Sequence, residues 1–130
     1  MLAHARVMSG LAFLATATVA DPALAQIESP GALEKTCRAG EAFACANLAV
    51  LYRYGRGVGQ DNVRALTLFV RGCEGGNDFA CGAVGDMVYR GLGIAAHYEN
   101  GELLLRGACR RRNEWSCESL RRLGIPLRPS

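Results

Sequence analysis

The six cysteines are the residues of this chain whose spacing most narrowly dictates a chemistry. Cys37, Cys73 and Cys109 stand 36 residues apart, and each is followed eight positions later by Cys45, Cys81 or Cys117. Structural zinc sites draw their ligands from close pairs two to four residues apart, and no such pair occurs; His97 has no second histidine after residue 25 to join it. Covalent haem attachment needs C-x-x-C-H and dithiol redox catalysis uses C-x-x-C, and neither is present. No metal and no cofactor are therefore expected. The remaining chemistry is the disulfide. Eight residues of helix rise about 12 Å, whereas bridged cysteines hold their Cα atoms within about 7 Å, so each pair must straddle a turn. The spacing predicts three helical hairpins, each stapled by its own disulfide and stacked at a constant repeat length.

The elements that must position these staples are legible in the same period. Shifted by 36 residues, Gly55-Arg56-Gly57-Val58 falls on Gly91-Leu92-Gly93-Ile94, and Phe43, Phe79 and Trp115 coincide. After each turn a helix of one kind, A, carries Cys45, Leu48, Ala49 and Tyr52, then Cys81, Val84, Gly85 and Val88, then Cys117 and Leu120: an apolar stripe at helical spacing. The small residues Ala49 and Gly85 invite close approach of a neighbouring helix. Asn77 and Asn113 stand at N-cap positions, and the G-x-G segment supplies a left-handed C-terminus. A second kind of helix, B, follows, with Asp61 as cap and Leu66, Phe69, Val70 and Cys73 on one face. Its counterpart from Glu99 to Cys109 reads as weaker, since Gly101 and Gly107 each cost about 1 kcal/mol relative to alanine in a helix interior. Ser29-Pro30 opens a first short B helix. The expected order is B-A-B-A-B-A, an all-α, α/α solenoid with hairpins at about 30–54, 62–91 and 98–123. Arg121 replaces the small residue of Ala49 and Gly85, so the last A helix is expected to be a terminal cap with one face wet, leaving open its pairing with another copy.

Residues 1–25 stand apart from this pattern. Met1 to Arg6 is short and basic, Val7 to Ala20 is apolar, and Ala23-Leu24-Ala25 has the small residues of a cleavage site, which together predict a secretory signal peptide. The apolar run is shorter than the ~20 residues of a membrane span, and no membrane anchor is expected. The repeat domain is then residues 26–130, in the periplasm or secreted, where an even cysteine count forms a structural framework. One disulfide closing a nine-residue loop removes about 2.6 kcal/mol of unfolded-chain entropy. Three such bridges amount to a large share of a typical domain's stability. The net charge of +3 is unevenly placed. Arg110, Arg111, Arg112, Arg121, Arg122 and Arg128 make the end of the chain basic, read as a solvated cap in preference to an anion-attracting face. The compartment disfavours nucleic acid as a partner.

The series Cys45, Leu48, Ala49, Tyr52, then Gly55, Gly57, Val58, then Asp61, Ala65, Phe69 and Cys73 resembles the Sel1-like repeat, a relative of the tetratricopeptide repeat; with C-x7-C it is similar to secreted bacterial cysteine-rich repeat proteins often described as β-lactamases. The resemblance covers about residues 30–123 and is weaker in the second repeat, where Val88, His97 and Gly101 replace Tyr52, Asp61 and Ala65. It implies a binding scaffold whose concave surface, built from A helices, grips a partner: a periplasmic or extracellular protein, or a peptidoglycan-like ligand. Asn47, Arg53, Tyr54, Asp86, Tyr89, Arg90, Ser119 and Arg122, which point away from the apolar stripe, are the residues expected to line that groove. The alternative it implies is a β-lactam-binding protein with weak amide hydrolase activity. The sequence offers that reading little: there is no S-x-x-K, the sole lysine is Lys35, and the serines beyond Pro30 are Ser116, Ser119 and Ser130. Ser116 and Ser119 read as helix-surface or turn residues, and His97 as a surface loop residue.

Overall fold

A computed structural model describes residues 29–128; the expected signal peptide lies outside them. The described chain is all-α, with helices α1 (Pro30–Arg38), α2 (Ala42–Tyr54), α3 (Asn62–Glu74), α4 (Asp78–Arg90), α5 (Tyr98–Arg110) and α6 (Glu114–Arg122). These are the six helices of the B-A-B-A-B-A order, B being α1, α3 and α5. Among the described residues, no helix is long and apolar enough to cross a membrane.

Two kinds of junction alternate. From B to A the chain turns in three residues, and a disulfide closes each turn: Cys37–Cys45, Cys73–Cys81 and Cys109–Cys117, with Cα separations of 4.6, 4.5 and 4.8 Å. From A to B the helix ends on a left-handed glycine, Gly55 or Gly91, at φ 65° and 71°. A seven-residue loop then returns alongside the helix it has just left. The same bond pins both loops: the Asp61 amide donates to the Tyr52 carbonyl at 2.8 Å and the His97 amide to that of Val88 at 2.9 Å.

The helix starts follow from side-chain caps that satisfy orphaned amides. Ser29, Asp61, Asn77 and Asn113 accept from the amides of Ala32, Arg64, Ala80 and Ser116 at 3.2, 2.9, 2.8 and 2.9 Å. His97 does the same work. Its Nδ1 accepts from the Asn100 amide at 3.3 Å, so it is the N-cap of α5 rather than a plain loop residue. An imidazole nitrogen replaces the carboxylate of Asp61, which is why this junction survives the substitution.

The core runs along the stack, with Leu48, Phe69, Met87, Leu105 and Leu120 as its large buried side chains. Phe69, Phe79 and Trp115 form an edge-to-face ladder with ring centroids 5.9 and 5.1 Å apart, joining α3, α4 and α6. Much of the remaining core is alanine and glycine. In the first repeat Ala49 of α2 and Ala65 of α3 are fully buried. In the second, the same places are Gly85 and Gly101, and here the helices touch backbone to backbone. A Cβ on Gly101 would lie 2.6 Å from the Tyr89 nitrogen and 2.7 Å from the Gly85 oxygen. What the sequence reads as a weak helix is thus a closer helix–helix approach. The glycine costs propensity and removes a clash.

The third disulfide turn carries a local cost. Gly40 and Gly76 sit at φ 99° and 91°, and the third equivalent is Arg112, at φ 67°. For a residue with a Cβ this region costs roughly 1–2 kcal/mol.

These packing differences fix signs. Gly101→Ala is expected to lower stability by about 1–3 kcal/mol despite its better helix propensity, whereas Gly107→Ala, whose Cβ would meet only the Arg111 side chain at 3.6 Å, is expected to raise it by about 0.5–1 kcal/mol. Urea unfolding of the oxidised protein checks both, and equal signs would refute the close approach. In the same assay Arg112→Gly is expected to stabilise by about 0.5–1 kcal/mol, the relief of strain less the added unfolded-chain freedom of glycine.

Candidate functional site

The side chains expected to share one groove separate into three groups. Arg53, Asp86 and Arg90 form a tie between repeats: Arg53 on α2 reaches to Asp86 on α4 at 2.7 Å, and Arg90, one turn beyond, closes on the other carboxylate oxygen at 2.8 Å. The Asp86 side chain is 3% exposed and that of Arg53 is 11% exposed. Asp86 is therefore not a groove-lining side chain. The Arg53 guanidinium from the preceding repeat lies over its carboxylate and withdraws it from solvent. Two cations satisfy the one buried anion, as the low-dielectric interior requires.

Ser119 is corrected in the same way. It is fully buried and accepts from Arg122 at 2.9 Å. Ser116, also fully buried, donates its hydroxyl to Asn113 Oδ1 at 2.7 Å. Neither is a helix-surface residue, and neither presents a hydroxyl from which a nucleophile could be made. They fill places that are Ala44 and Asn47 in the first repeat and Ala80 and Ala83 in the second. Burial reaches these positions because the A helix of the preceding repeat packs over them.

The second group is an aromatic and guanidinium face at the ends of α2 and α4. Tyr54 is 55% exposed, and both Arg53 and Arg56 hold their guanidinium carbons over its ring, at 5.3 and 5.4 Å from the centroid. Tyr89 on α4 meets Tyr98 of α5 edge-to-face at 5.1 Å. Arg90 keeps its side chain 41% exposed while bonded to Asp86. Such a face offers flat apolar area, ring edges and charged donors held by their neighbours, which suits recognition of peptide or sugar groups.

The third group is Asn47 and its surroundings, which the sequence had placed in one groove with the others. Asn47 does not join Tyr54 and Arg90. It lies in an apolar groove of 590 Å³ at the N-terminal end of the stack, lined by Leu33 and Thr36 of α1, Glu41, and Phe43, Ala44, Val50 and Leu51 of α2. Phe43, at its lip, is 70% exposed. The signal was available in the sequence, since the first described helix is of type B and no A helix precedes it among the described residues.

Part of the basic C-terminal region is engaged with its own protein. Arg111 pairs with Asp78, Arg121 with Glu118 at 2.9 Å, and Arg106 with Glu102 at 2.7 Å while also donating to the Leu127 carbonyl. Among the described residues, no group of three or more His, Cys, Asp and Glu side chains is placed to hold a metal ion.

The tie at Asp86 has a measurable consequence. Asp86→Ala leaves Arg53 half-buried without its partner and is expected to cost about 3 kcal/mol, whereas Arg90→Ala removes a largely solvated partner and is expected to cost less than about 1 kcal/mol. Chemical denaturation with the disulfides intact separates the two, and equal small losses would show that the tie is not a structural one.

No family model and no curated protein matches this sequence. Solved structures do match. A Sel1 repeat protein from Oxalobacter formigenes is 24% identical, with a TM-score of 0.64 over 70% of this chain and 37% of its own. Cysteine-rich protein B of Helicobacter pylori is 24% identical, with a TM-score of 0.63 over 68% of this chain and 67% of its own. A protective antigen present in uropathogenic Escherichia coli strains, displaying an SLR fold, is 27% identical, with a TM-score of 0.66 over 75% of this chain and 22% of its own. The chain thus spans about a third of the first relative and about a fifth of the last. With six helices in the expected order, a disulfide across every B-to-A turn and these neighbours, the chain has the Sel1-like repeat fold, in its cysteine-rich, disulfide-stapled form.

Proposed function

We propose that this chain is an exported binding scaffold that holds a protein segment, or a peptidoglycan-like ligand, on the face carried by α2 and α4. The observation that carries the reading is Tyr54, an exposed ring with the Arg53 and Arg56 guanidinium groups over it. A tyrosine braced in this way pays little conformational entropy on binding, and Tyr and Arg are the residues through which interfaces concentrate affinity. Tyr89, Tyr98 and Arg90 extend the same character to the next repeat. Export is supported by the three disulfides, which persist in oxidising compartments, and by the leader-like composition of residues 1–25. The repeat fold supports the scaffold, since stacked hairpins create an extended surface without demanding a catalytic group. Hydrolysis of β-lactams gains no support from Ser116 or Ser119, both buried and bonded inside the fold.

Site-specific photo-crosslinking in the native compartment tests this. A benzophenone side chain in place of Tyr54 or Arg90 is expected to trap one recurrent partner or cell-wall fragment, and one in place of Val63, exposed on α3, is expected to trap none. Equal labelling from all three positions would remove the assigned face. The oxidised, folded monomer is also expected to leave a chromogenic β-lactam unhydrolysed. Turnover that follows the monomer through gel filtration and disappears on reduction would replace the scaffold with a hydrolase.

A further inference from the structure

The three disulfide-closed helix pairs are equivalent in sequence, but among the described residues only two of them are roofed. The α3–α4 pair is covered by α2: a Cβ on Gly72 would lie 3.1 Å from the Ala42 oxygen and 3.5 Å from the Ala46 nitrogen, and Arg53 reaches over to Asp86. The α5–α6 pair is covered by α4, whose Gly82 faces Ser116 and Ala108 so closely that any side chain there would strike the Ser116 hydroxyl. Under these roofs Phe69, Ala80, Ala83 and Met87 in one pair, and Leu105, Ala108, Ser116 and Ser119 in the other, are fully or almost fully buried. In the α1–α2 pair the positions of Phe69, Ala80, Ala83 and Met87 are Leu33, Ala44, Asn47 and Leu51, of which Leu33 and Ala44 are buried and Asn47 and Leu51 half-buried. Among the described residues no helix covers them, and the groove of 590 Å³ stands there instead.

The repeat itself specifies what fits. In both roofed pairs the covering element is an A-type helix with a small residue, Ala46 or Gly82, where it crosses the B helix. Seven positions after Ala46, Arg53 meets Asp86; in the open groove the place of Asp86 is taken by Val50, so an aliphatic residue fits there in place of arginine. A second copy cannot supply this helix through its open end. The residue of α6 equivalent to Ala46 is Glu118, and it pairs with Arg121 at the surface, the two side chains 49% and 57% exposed. Burying that pair in an apolar groove would strip both charges of water. The matching faces of α2 and α4 are already used within the fold.

We propose that the α1–α2 groove is a docking site for an amphipathic helix of a different protein, which carries a small residue against Thr36 and Ala44 and an aliphatic residue seven positions later against Val50 and Leu51. The bound helix completes the stack as α2 and α4 do inside it. This site is separate from the Tyr54 face, and either can fail without the other.

A side-chain-bridged helical peptide with the pattern Ala-x3-Ala-x6-Leu on one face and Glu and Lys elsewhere is the probe. It would be titrated into isotopically labelled oxidised protein, both the chain beginning at Gln26 and the full chain. Saturable amide shifts are expected at Thr36, Ala44, Asn47 and Leu51. Replacing the second Ala of the peptide by Leu, or Asn47→Lys or Phe43→Glu in the protein, is expected to weaken binding about tenfold or more. Asn47 is half-buried and Phe43 exposed, so an unchanged melting curve for either variant confirms that the fold is intact. Absence of saturation at millimolar peptide, or shifts insensitive to all three changes, overturns the proposal. So does a dimer in sedimentation that Asn47→Lys dissociates, which assigns the groove to a second copy, or binding lost in the full chain alone, which assigns it to residues 1–25.

Discussion

The disulfide across each B-to-A turn is the constraint on which the rest of the architecture depends. By holding the two Cα atoms within 5 Å it fixes where the A helix leaves the turn relative to the B helix entering it. Each of the three helix pairs becomes a tile whose internal geometry needs little help from packing. That matters because the core has little bulk to offer. Alanines, glycines and the cystines themselves fill much of the interior, and the large buried side chains are few. Small residues bury little apolar area each, so covalent restriction of the unfolded chain substitutes for hydrophobic burial that a hundred-residue repeat array cannot supply.

Once the tiles are set, the way they stack is decided by side-chain size at a handful of crossing points. Ala49 and Ala65, and at the same repeat positions Gly85 and Gly101, show two fillings of one place: the first pair buries two methyl groups, the second lets the backbones meet. Polar groups enter this interior only with partners attached. Asp86 carries two arginines, Ser116 its capping asparagine and Ser119 an arginine on its own helix. No buried side-chain nitrogen or oxygen among the described residues lacks a hydrogen-bond partner. The third repeat can therefore hold serines where earlier repeats hold alanine or asparagine, and the polarity that on a helical wheel suggests a wet surface is consumed within the fold.

This explains what the sequence disclosed and what it hid. The period of 36, the C-x7-C pairs, the caps at Ser29, Asp61, Asn77 and Asn113 and the left-handed glycines are all local rules, and all appear where the spacing put them. The role of His97 was obscured because imidazole is an uncommon cap, although its place in the repeat matched that of Asp61. The candidate face was harder to read. A position on helix A faces two different environments, depending on whether a preceding repeat exists to cover it, and one helix in isolation does not reveal this. Asp86 and Ser119 looked outward by periodicity and are buried, Asp86 beneath Arg53 from 33 residues earlier. Asn47, at the same repeat position as Ser119, has no such neighbour among the described residues and lies in the end groove.

The two ends of the stack are consequently different surfaces. At the C-terminal end, α6 turns Glu114, Glu118 and Arg121 outward, and Ile125 folds back beneath them into a small core of Leu105 and Leu120. Charges that pair with one another in water terminate a repeat array at low cost and oppose the addition of another helix. Among the described residues the N-terminal end has no such device: Phe43 and the apolar flank of α2 are left where a helix would continue the pattern. Among the described residues, paired charges stand at one end of the array and an apolar groove at the other, so self-association in a row would require the charged end to enter the apolar one. Such a contact would strip the Glu118–Arg121 pair of water, so the asymmetry of the described array disfavours head-to-tail polymers.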